Sequence, residues 1–134
     1  MARVEVIDVR TTTREEVIDV TALVRAAVKK TAVTDGVAWV SVPHTTAALT
    51  LQENTDRTVK SDTLGLLARL IPRDAGFAHD VGNADAYIKA SVIGATQTMF
   101  VEDGELMLGR WQSIWFCEFD GPRARQMLVK VVEG

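Results

Sequence analysis

The chain has 134 residues, of which 47% are hydrophobic and 25% are charged, and its formal net charge is -3. This length is typical of one domain, and the apolar fraction is large enough to bury a core without disulfides or a structural metal. The slightly acidic balance argues against a protein that binds nucleic acid through bulk positive charge. We therefore expect a single domain over residues 1–134 with no nucleic-acid partner.

Four short strands are predicted in the first half of the chain: the first three contain several β-branched residues, and the fourth is an extended segment. These strands span Val4–Val9, Val17–Val20, Val37–Val42 and Ala48–Gln52. After the second strand, from Thr21, the apolar spacing becomes helical, and Thr21 or Asp19 can cap the start of that helix.

Two more helices are predicted further along the chain. The residues from Asn54 to Asp56 are typical of a helix start, and the apolar positions that follow lie on one helical face until Pro72. A polar loop covers residues 73–82. Asn83 can then cap a short helix over Ala84–Ile93, with a glycine just past its end.

The last part of the chain predicts three strands, over Ala95–Val101, Leu106–Phe119 and Arg125–Val132. Turn signals at residues 102–105 and 120–122 separate them. Strands grouped in hairpins with two to three helices favour an α+β fold with mostly antiparallel sheets.

The single cysteine and the N-terminal segment indicate where the protein is located. A lone thiol cannot form an intramolecular disulfide, so nothing implies an oxidising compartment. Cys117 lies in the apolar run that begins at Ile114, and we expect a buried, unreactive thiol. The first ten residues alternate in polarity and carry charge, and no later apolar run approaches the roughly 18 residues of a membrane span. We therefore predict a cytoplasmic protein with no membrane partner.

The segment His44-Thr45-Thr46 is the first candidate for chemistry, because it directly follows a buried strand and Pro43. It offers an imidazole and two hydroxyl groups at the mouth of a pocket, and loops held by rigid strands are enriched in functional sites. A surface histidine at a strand-to-turn corner is the alternative.

His79 and Asp80 form the second candidate, in the polar loop before Asn83. A carboxylate beside an imidazole can orient the ring, but a solvated loop with a helix-capping residue explains these residues equally simply. His44 and His79 are the only histidines in the chain. Together with one carboxylate they could hold a divalent metal with open coordination positions.

Glu118 ends an apolar strand, and strand alternation places it on the same face as Ile114 and Phe116. A carboxylate in line with a core face is unfavourable unless it is paired or exposed. Its functional interpretation is a general base or a metal ligand. The alternative is a salt bridge with Arg123 or Arg125.

Trp111, Gln112 and Arg123 complete the candidate residues. Trp111 and Gln112 could present an aromatic wall and an amide to a planar ligand, and the forked guanidinium of Arg123 suits phosphate. Core packing of the tryptophan and a solvated strand end for the arginine are the alternatives. His44, Glu118 and Arg123 all lie at predicted strand ends, which favours a single polar cluster.

These motifs, taken in order along nearly the whole chain, resemble the YjbQ-like family, which carries the label of a secondary thiamine-phosphate synthase. The motifs are PHTTAALTLQEN at 43–54, HD at 79–80, NADA at 83–86, IKA at 88–90, Gly94, GRWQSI at 109–114 and EFDGPR at 118–123. The resemblance implies an α+β fold with two packed sheets, a homotrimer, and a histidine-lined pocket that takes a metal or an anion. Where the family pattern has a third histidine, this chain has Tyr87, so we expect weaker binding of a divalent metal such as zinc or magnesium at His44 and His79.

Two classes of function stay open. The first is an enzyme that joins a pyrimidine methyl diphosphate to a thiazole phosphate and releases pyrophosphate, with His44, His79 and Glu118 as catalytic groups. The second is a non-catalytic trimeric module that binds a small phosphate-bearing metabolite or a metal ion. The expected substrate contacts are Thr45, Thr46, Asn54, Asp80, Asn83, Tyr87, Lys89, Trp111, Gln112 and Arg123.

Overall fold

The computed structural model describes residues 3–134. In this part of the chain we find eight strands and three helices. The strands are β1 (Glu5–Arg10), β2 (Glu16–Asp19), β3 (Gly36–Ser41), β4 (Ala47–Glu53), β5 (Thr96–Glu102), β6 (Glu105–Leu106), β7 (Gln112–Glu118) and β8 (Ala124–Glu133). The helices are α1 (Thr21–Lys30), α2 (Arg57–Leu70) and α3 (Ala84–Ile93).

The strands form two sheets in which every pair of neighbours is antiparallel. The larger sheet has the order β1-β8-β3-β5-β6, and the smaller has the order β2-β7-β4. The prediction of an α+β fold with antiparallel sheets and two to three helices is therefore confirmed.

Two apolar cores lie on opposite sides of the smaller sheet. Ile114 and Phe116 of β7 face the larger sheet and pack with α1, which closes one end of the space between the sheets. Trp115 and Cys117 point the other way and pack against α2 and α3. The layers are thus the larger sheet, the smaller sheet and a pair of helices, and the alternation predicted along β7 is confirmed.

Local hydrogen bonds explain where two of the helices begin. Asp19 accepts hydrogen bonds from the backbone and hydroxyl groups of Thr21, the first residue of α1, at 3.0 and 2.6 Å. Asp56 accepts a hydrogen bond of 2.9 Å from the backbone N–H of Thr58 at the start of α2. Every helix in residues 3–134 falls short of the length and apolarity that crossing a membrane requires.

The predicted strand over Leu106–Phe119 is wrong, because this segment forms two strands in different sheets. β6 ends at Leu106, and residues 107–111 cross to the smaller sheet before β7 begins. A turn interrupts the segment: the backbone N–H of Gly109 donates to Gln112 Oε1 at 2.7 Å, and the backbone N–H of Gln112 donates to the carbonyl of Gly109 at 3.0 Å. Apolar residues such as Leu108 continue through this crossing and conceal it in the sequence.

Candidate functional site

The candidate site lies where β7 ends and β8 begins, next to the β3–β4 connection that carries His44 and the loop that precedes α3. The pairing of β7 with β4 places Glu118 opposite Ala47, beside Thr46. The turn between β7 and β8 contributes Asp120 and Arg123. The fold thus brings several of the residues predicted at strand ends together, at the end of the smaller sheet where β7 finishes.

Glu118 and Arg125 form a buried ion pair at the base of this site, with 0% and 4% of their side chains exposed. The guanidinium of Arg125 contacts both carboxylate oxygens of Glu118 and donates to Thr46 Oγ1 at 2.8 Å. The hydroxyl of Thr11 and the backbone N–H of Asp120 also donate to Glu118, at 2.7 and 3.1 Å. This geometry matches the alternative in which Glu118 forms a salt bridge with Arg125.

The protonation of Glu118 follows from these contacts. Burial acts to raise its pKa, but the hydrogen bonds from Arg125, Thr11 and the backbone of Asp120 outweigh burial, so that the pKa is lowered below the ordinary value. The carboxylate is therefore ionised at neutral pH and occupied by donors. It is suited to holding the ends of β1, β7 and β8 together.

Arg123 is exposed above this base and is held by the residue that starts its turn. Its Nε donates to the backbone carbonyl of Asp120 at 2.7 Å, and its guanidinium donates to Asp120 Oδ2 at 2.9 Å. About half of the side chain is open to solvent, at 53% exposure. The guanidinium is thus both oriented and accessible, as recognition of an anion requires.

A chain of hydrogen bonds connects His79 to the same aspartate. The Asn83 amide donates from Nδ2 to Asp120 Oδ2 at 2.9 Å, and Asn83 Oδ1 lies 2.9 Å from His79 Nε2. The ring of Tyr87 meets the His79 ring edge-on, with the ring centroids 5.4 Å apart. The predicted α3 bounds are confirmed and Asn83 is the N-cap residue, but its side chain makes no capping hydrogen bond, because it binds His79 and Asp120 instead.

His44 faces the site as a neutral imidazole. Its Nε2 accepts a hydrogen bond of 2.9 Å from the backbone N–H of Gln126, so the proton of the neutral ring is on Nδ1. Burial is the main cause that lowers the pKa of His44, followed by the nearby charge of Arg125, while Glu118 acts in the opposite direction. A neutral ring with one N–H offers the site a hydrogen-bond donor without a charge.

The space beside His79 is a small pocket of about 210 Å³. Asp80 and Arg73 line it together with His79. Thr45 is exposed at the surface next to His44. These residues could contact a small ligand that enters the site.

Lys89, predicted as a substrate contact, is buried and only 1% exposed. Its Nζ donates to Glu15 at 2.7 Å and to Asp85 at 2.8 Å, and Asp85 also binds the guanidinium of Arg14 at 3.0 Å. Two carboxylates therefore neutralise the Lys89 ammonium, and burial shields it from any ligand in this chain.

Asn54, Trp111 and Gln112 lie at the opposite end of β7 from Glu118. At about 3.3 Å per residue, the strand separates Gln112 from Glu118 by roughly 20 Å. Asn54 Nδ2 donates to the backbone carbonyl of Arg110 at 2.9 Å, and the Arg110 guanidinium lies 5.0 Å from the centre of the Trp111 ring. Within one chain these residues form a second polar group, separate from the cluster around Arg123.

The side chains do not assemble into a conventional metal site. Among residues 3–134, no group of three or more His, Cys, Asp or Glu side chains is placed to hold a metal ion. The Nε2 atoms of His44 and His79 are already engaged by Gln126 and Asn83. The residues present therefore do not fit a three-ligand metal site.

Three residues of the site were missed or underweighted in the sequence. The sequence indicates Asp120 only as part of a turn and Arg125 only as an alternative partner of Glu118, and it gives no signal for Thr11. The Asp120-Gly121-Pro122 turn signal was visible, but the hydrogen bonds that Asp120 accepts come from residues as distant in sequence as Asn83. Sequence spacing does not show such contacts.

The fold and the site define a small α+β protein with two antiparallel sheets and a hydrogen-bonded polar site at the end of β7. Its sequence matches the profile of UPF0047 proteins of the YjbQ-like type over residues 5–134. It is 46% identical over 124 residues to a UPF0047 protein of Methanocaldococcus jannaschii, covering 92% of this chain and 90% of that one. It is 43% identical over 127 residues to the UPF0047 protein YugU of Bacillus subtilis, covering 94% and 96%. The chain belongs to the YjbQ-like UPF0047 family.

Solved structures agree with this assignment. A family protein from Clostridium acetobutylicum superposes with a TM-score of 0.93 at 43% identity, covering 96% of this chain and 99% of that one. A protein of unknown function from Sulfolobus solfataricus gives a TM-score of 0.95 at 29% identity, covering 100% and 99%. The two-sheet architecture is therefore shared across the family.

Proposed function

We propose that this protein binds a small phosphate-bearing molecule at the Arg123 cluster and acts as a weak transferase of the thiamine-phosphate synthase type. The observation that carries this proposal is the guanidinium of Arg123, which is oriented by two hydrogen bonds to Asp120 and remains half exposed. Such a pre-oriented fork loses little entropy on binding a phosphate or diphosphate group. The His44 N–H, nearby and uncharged, is a second donor.

The proposed reaction does not require a general base from the protein. The C–O bond between the pyrimidine methylene carbon and the diphosphate breaks, and its electron pair leaves with the diphosphate. The lone pair of the thiazole nitrogen forms the new C–N bond, so no proton must be removed. Arg123 stabilises the charge that grows on the leaving group. The engagement of Glu118 by four donors is compatible with this chemistry because a free general base is not required.

The second candidate is a non-catalytic module that binds a small phosphate-bearing metabolite. The size of the pocket beside His79 favours it, because about 210 Å³ is below the roughly 300–1,000 Å³ of most ligand pockets. This pocket, which Arg73, His79 and Asp80 line, is small for two ring-bearing substrates. Turnover of two ring-bearing substrates therefore requires further surface, which a neighbouring subunit could provide.

An assay of turnover separates the two candidates. The purified protein is incubated with both precursors, and thiamine phosphate is followed by mass spectrometry. Formation of product that is lost in Arg123→Ala supports the transferase. Pyrophosphate binding without product supports the binding module.

Calorimetry tests the anion site itself. Losing one charge-assisted hydrogen bond costs roughly 1.5–3 kcal/mol, so Arg123→Ala should weaken pyrophosphate binding by about tenfold or more. His44→Ala should weaken it less, because a neutral imidazole offers one donor and no charge. Arg110→Ala is the matched control, since Arg110 stacks on Trp111 at the other end of β7. Equal affinity in Arg123→Ala and wild type would contradict the assignment of the site.

We also propose the homotrimer that the family resemblance implies. The outer face of the larger sheet supports association, because Phe100 and Val132 flank Val37 on it and are 66% and 37% exposed. Trp39, two residues further along β3 on the same face, is 40% exposed. Light scattering should give three times the chain mass, and a monomer at micromolar concentration would contradict it. A cytoplasmic location stays part of this proposal.

A further inference from the structure

Asp120 is hydrogen-bonded to Arg123, Asn83 and Glu118 and so links the exposed and the buried parts of the candidate site. Its side chain is 15% exposed, and its Oδ2 accepts hydrogen bonds of 2.9 Å from both Arg123 and Asn83. Its backbone carbonyl accepts a second bond from Arg123, and its backbone N–H donates to Glu118. It thereby ties the exposed guanidinium and the His79 loop to the buried ion pair.

The bond between Asp120 and Asn83 fixes which end of the amide faces His79. A carboxylate only accepts hydrogen bonds, so the nitrogen of the Asn83 amide must point at Asp120. The amide oxygen then points at His79, and it can only accept a hydrogen bond from Nε2–H. The neutral His79 ring is therefore in the Nε2–H form, and its Nδ1 carries a free lone pair.

We infer that Asp120 is a positioning residue that sets both the direction of the Arg123 guanidinium and, through Asn83, the tautomer of His79. This inference rests on the proposed function in assigning Arg123 and His79 to one ligand site. The fixed tautomer has a chemical consequence. A ligand that binds both residues presents anionic oxygens to Arg123 and an N–H or O–H donor to the Nδ1 atom of His79.

The tautomer can be measured directly, because the chain has two histidines and their four ring nitrogens give separate ¹⁵N signals. Spectra are recorded at about pH 8.5, where imidazole rings are generally neutral. The wild type should show His79 as Nε2–H and His44 as Nδ1–H. His44 is an internal control, because its hydrogen bond comes from the backbone of Gln126 and does not involve Asp120.

Two substitutions at Asp120 separate a positioning role from a general loss of structure. In Asp120→Ala the Asn83 amide loses its anchor and can rotate, so the Nδ1–H form of His79 should become measurably populated. Asp120→Asn should restore the wild-type spectrum, because its amide oxygen can still accept from Asn83 Nδ2. Asp62→Ala, an exposed change on α2, should alter neither ring. Unchanged His44 signals in every variant show that the fold is retained.

The outcomes distinguish this inference from the proposed function. A wild-type His79 spectrum in Asp120→Ala overturns the positioning role, whatever the protein binds. A changed spectrum in Asp120→Ala that Asp120→Asn does not restore overturns it as well. Pyrophosphate calorimetry on the wild type tests the anion site independently. Absence of binding would refute the proposed function, but it would not contradict the hydrogen-bonded chain from Asp120 through Asn83 to His79.

Discussion

Replacing Glu118 by glutamine tests how much the buried ion pair contributes to stability. The change keeps the shape of the side chain but removes the charge opposite Arg125, and both side chains are almost fully buried. It also turns one acceptor oxygen into a donor that faces the groups donating to Glu118. Breaking a buried pair in this way costs about 3–5 kcal/mol, which for a domain of this size lowers the melting temperature by roughly 10–18 °C.

The dependence of this effect on pH provides a second readout. The pKa of Glu118 is lowered in the folded chain, because its hydrogen bonds outweigh the opposing effect of burial. The carboxylate therefore stabilises the fold fully above the ordinary glutamate value of about 4.3, and this stabilisation is lost as the pH falls through the lower folded value. The difference in melting temperature between wild type and Glu118→Gln should accordingly be largest near neutral pH and shrink in acid.

Thermal denaturation by circular dichroism measures both effects. Glu102→Gln, an exposed change on β5, is the matched control and should stay within about 0.5 kcal/mol of wild type. Arg125→Met should be about as damaging as Glu118→Gln. The double variant should lose less than the two single changes combined, because the partners interact directly. A Glu118→Gln protein that melts no earlier than Glu102→Gln would refute the reasoning.

Three further predictions concern single side chains. The pKa of His44 is lowered by burial and by Arg125, so an NMR titration should give a midpoint below about 6.5. Because the unfolded chain binds this proton more readily, His44 should reduce stability as the pH falls below about 6.5, and His44→Gln should remove that dependence. Burial raises the pKa of Cys117 to about 12, so iodoacetamide at pH 8 should label the thiol only after denaturation, and rapid labelling of the folded protein would contradict its burial. Tyr87→His places a second imidazole beside His79 and should raise zinc affinity in calorimetry, whereas unchanged affinity would show that this position does not face a metal site.

The sequence was sufficient for most of the secondary structure because the local signals and the packing agree. The alternation along β7 predicted that Ile114 and Phe116 share one face, and both pack in one core while Trp115 packs in the other. The same method failed between Leu106 and Gln112. There, apolar residues continue through a turn, and periodicity alone cannot show that the chain changes sheets.

The candidate site was predictable only in part, for a physical reason. His44, Glu118 and Arg123 were correctly placed near strand ends, but every strand has two ends, which lie on opposite sides of the sheet. Trp111 was predicted to contact the same substrate as Arg123, but it precedes β7, at the opposite end of that strand from Glu118. The role of Lys89 as a buried partner of Asp85 and Glu15 depends on contacts across up to 74 positions, which no local pattern reveals.

The two-sided packing of β7 limits where this chain can change in length. Because successive side chains point to opposite faces, inserting one residue in β7 would move Ile114 or Phe116 into the helix-facing core and turn Glu118 away from Arg125. A single insertion would therefore disrupt both apolar cores and the Glu118–Arg125 ion pair. The loop between α2 and α3 belongs to neither sheet, so an insertion there would not reverse the faces of a strand. Length differences among members of this family should therefore occur in this loop more often than in β7.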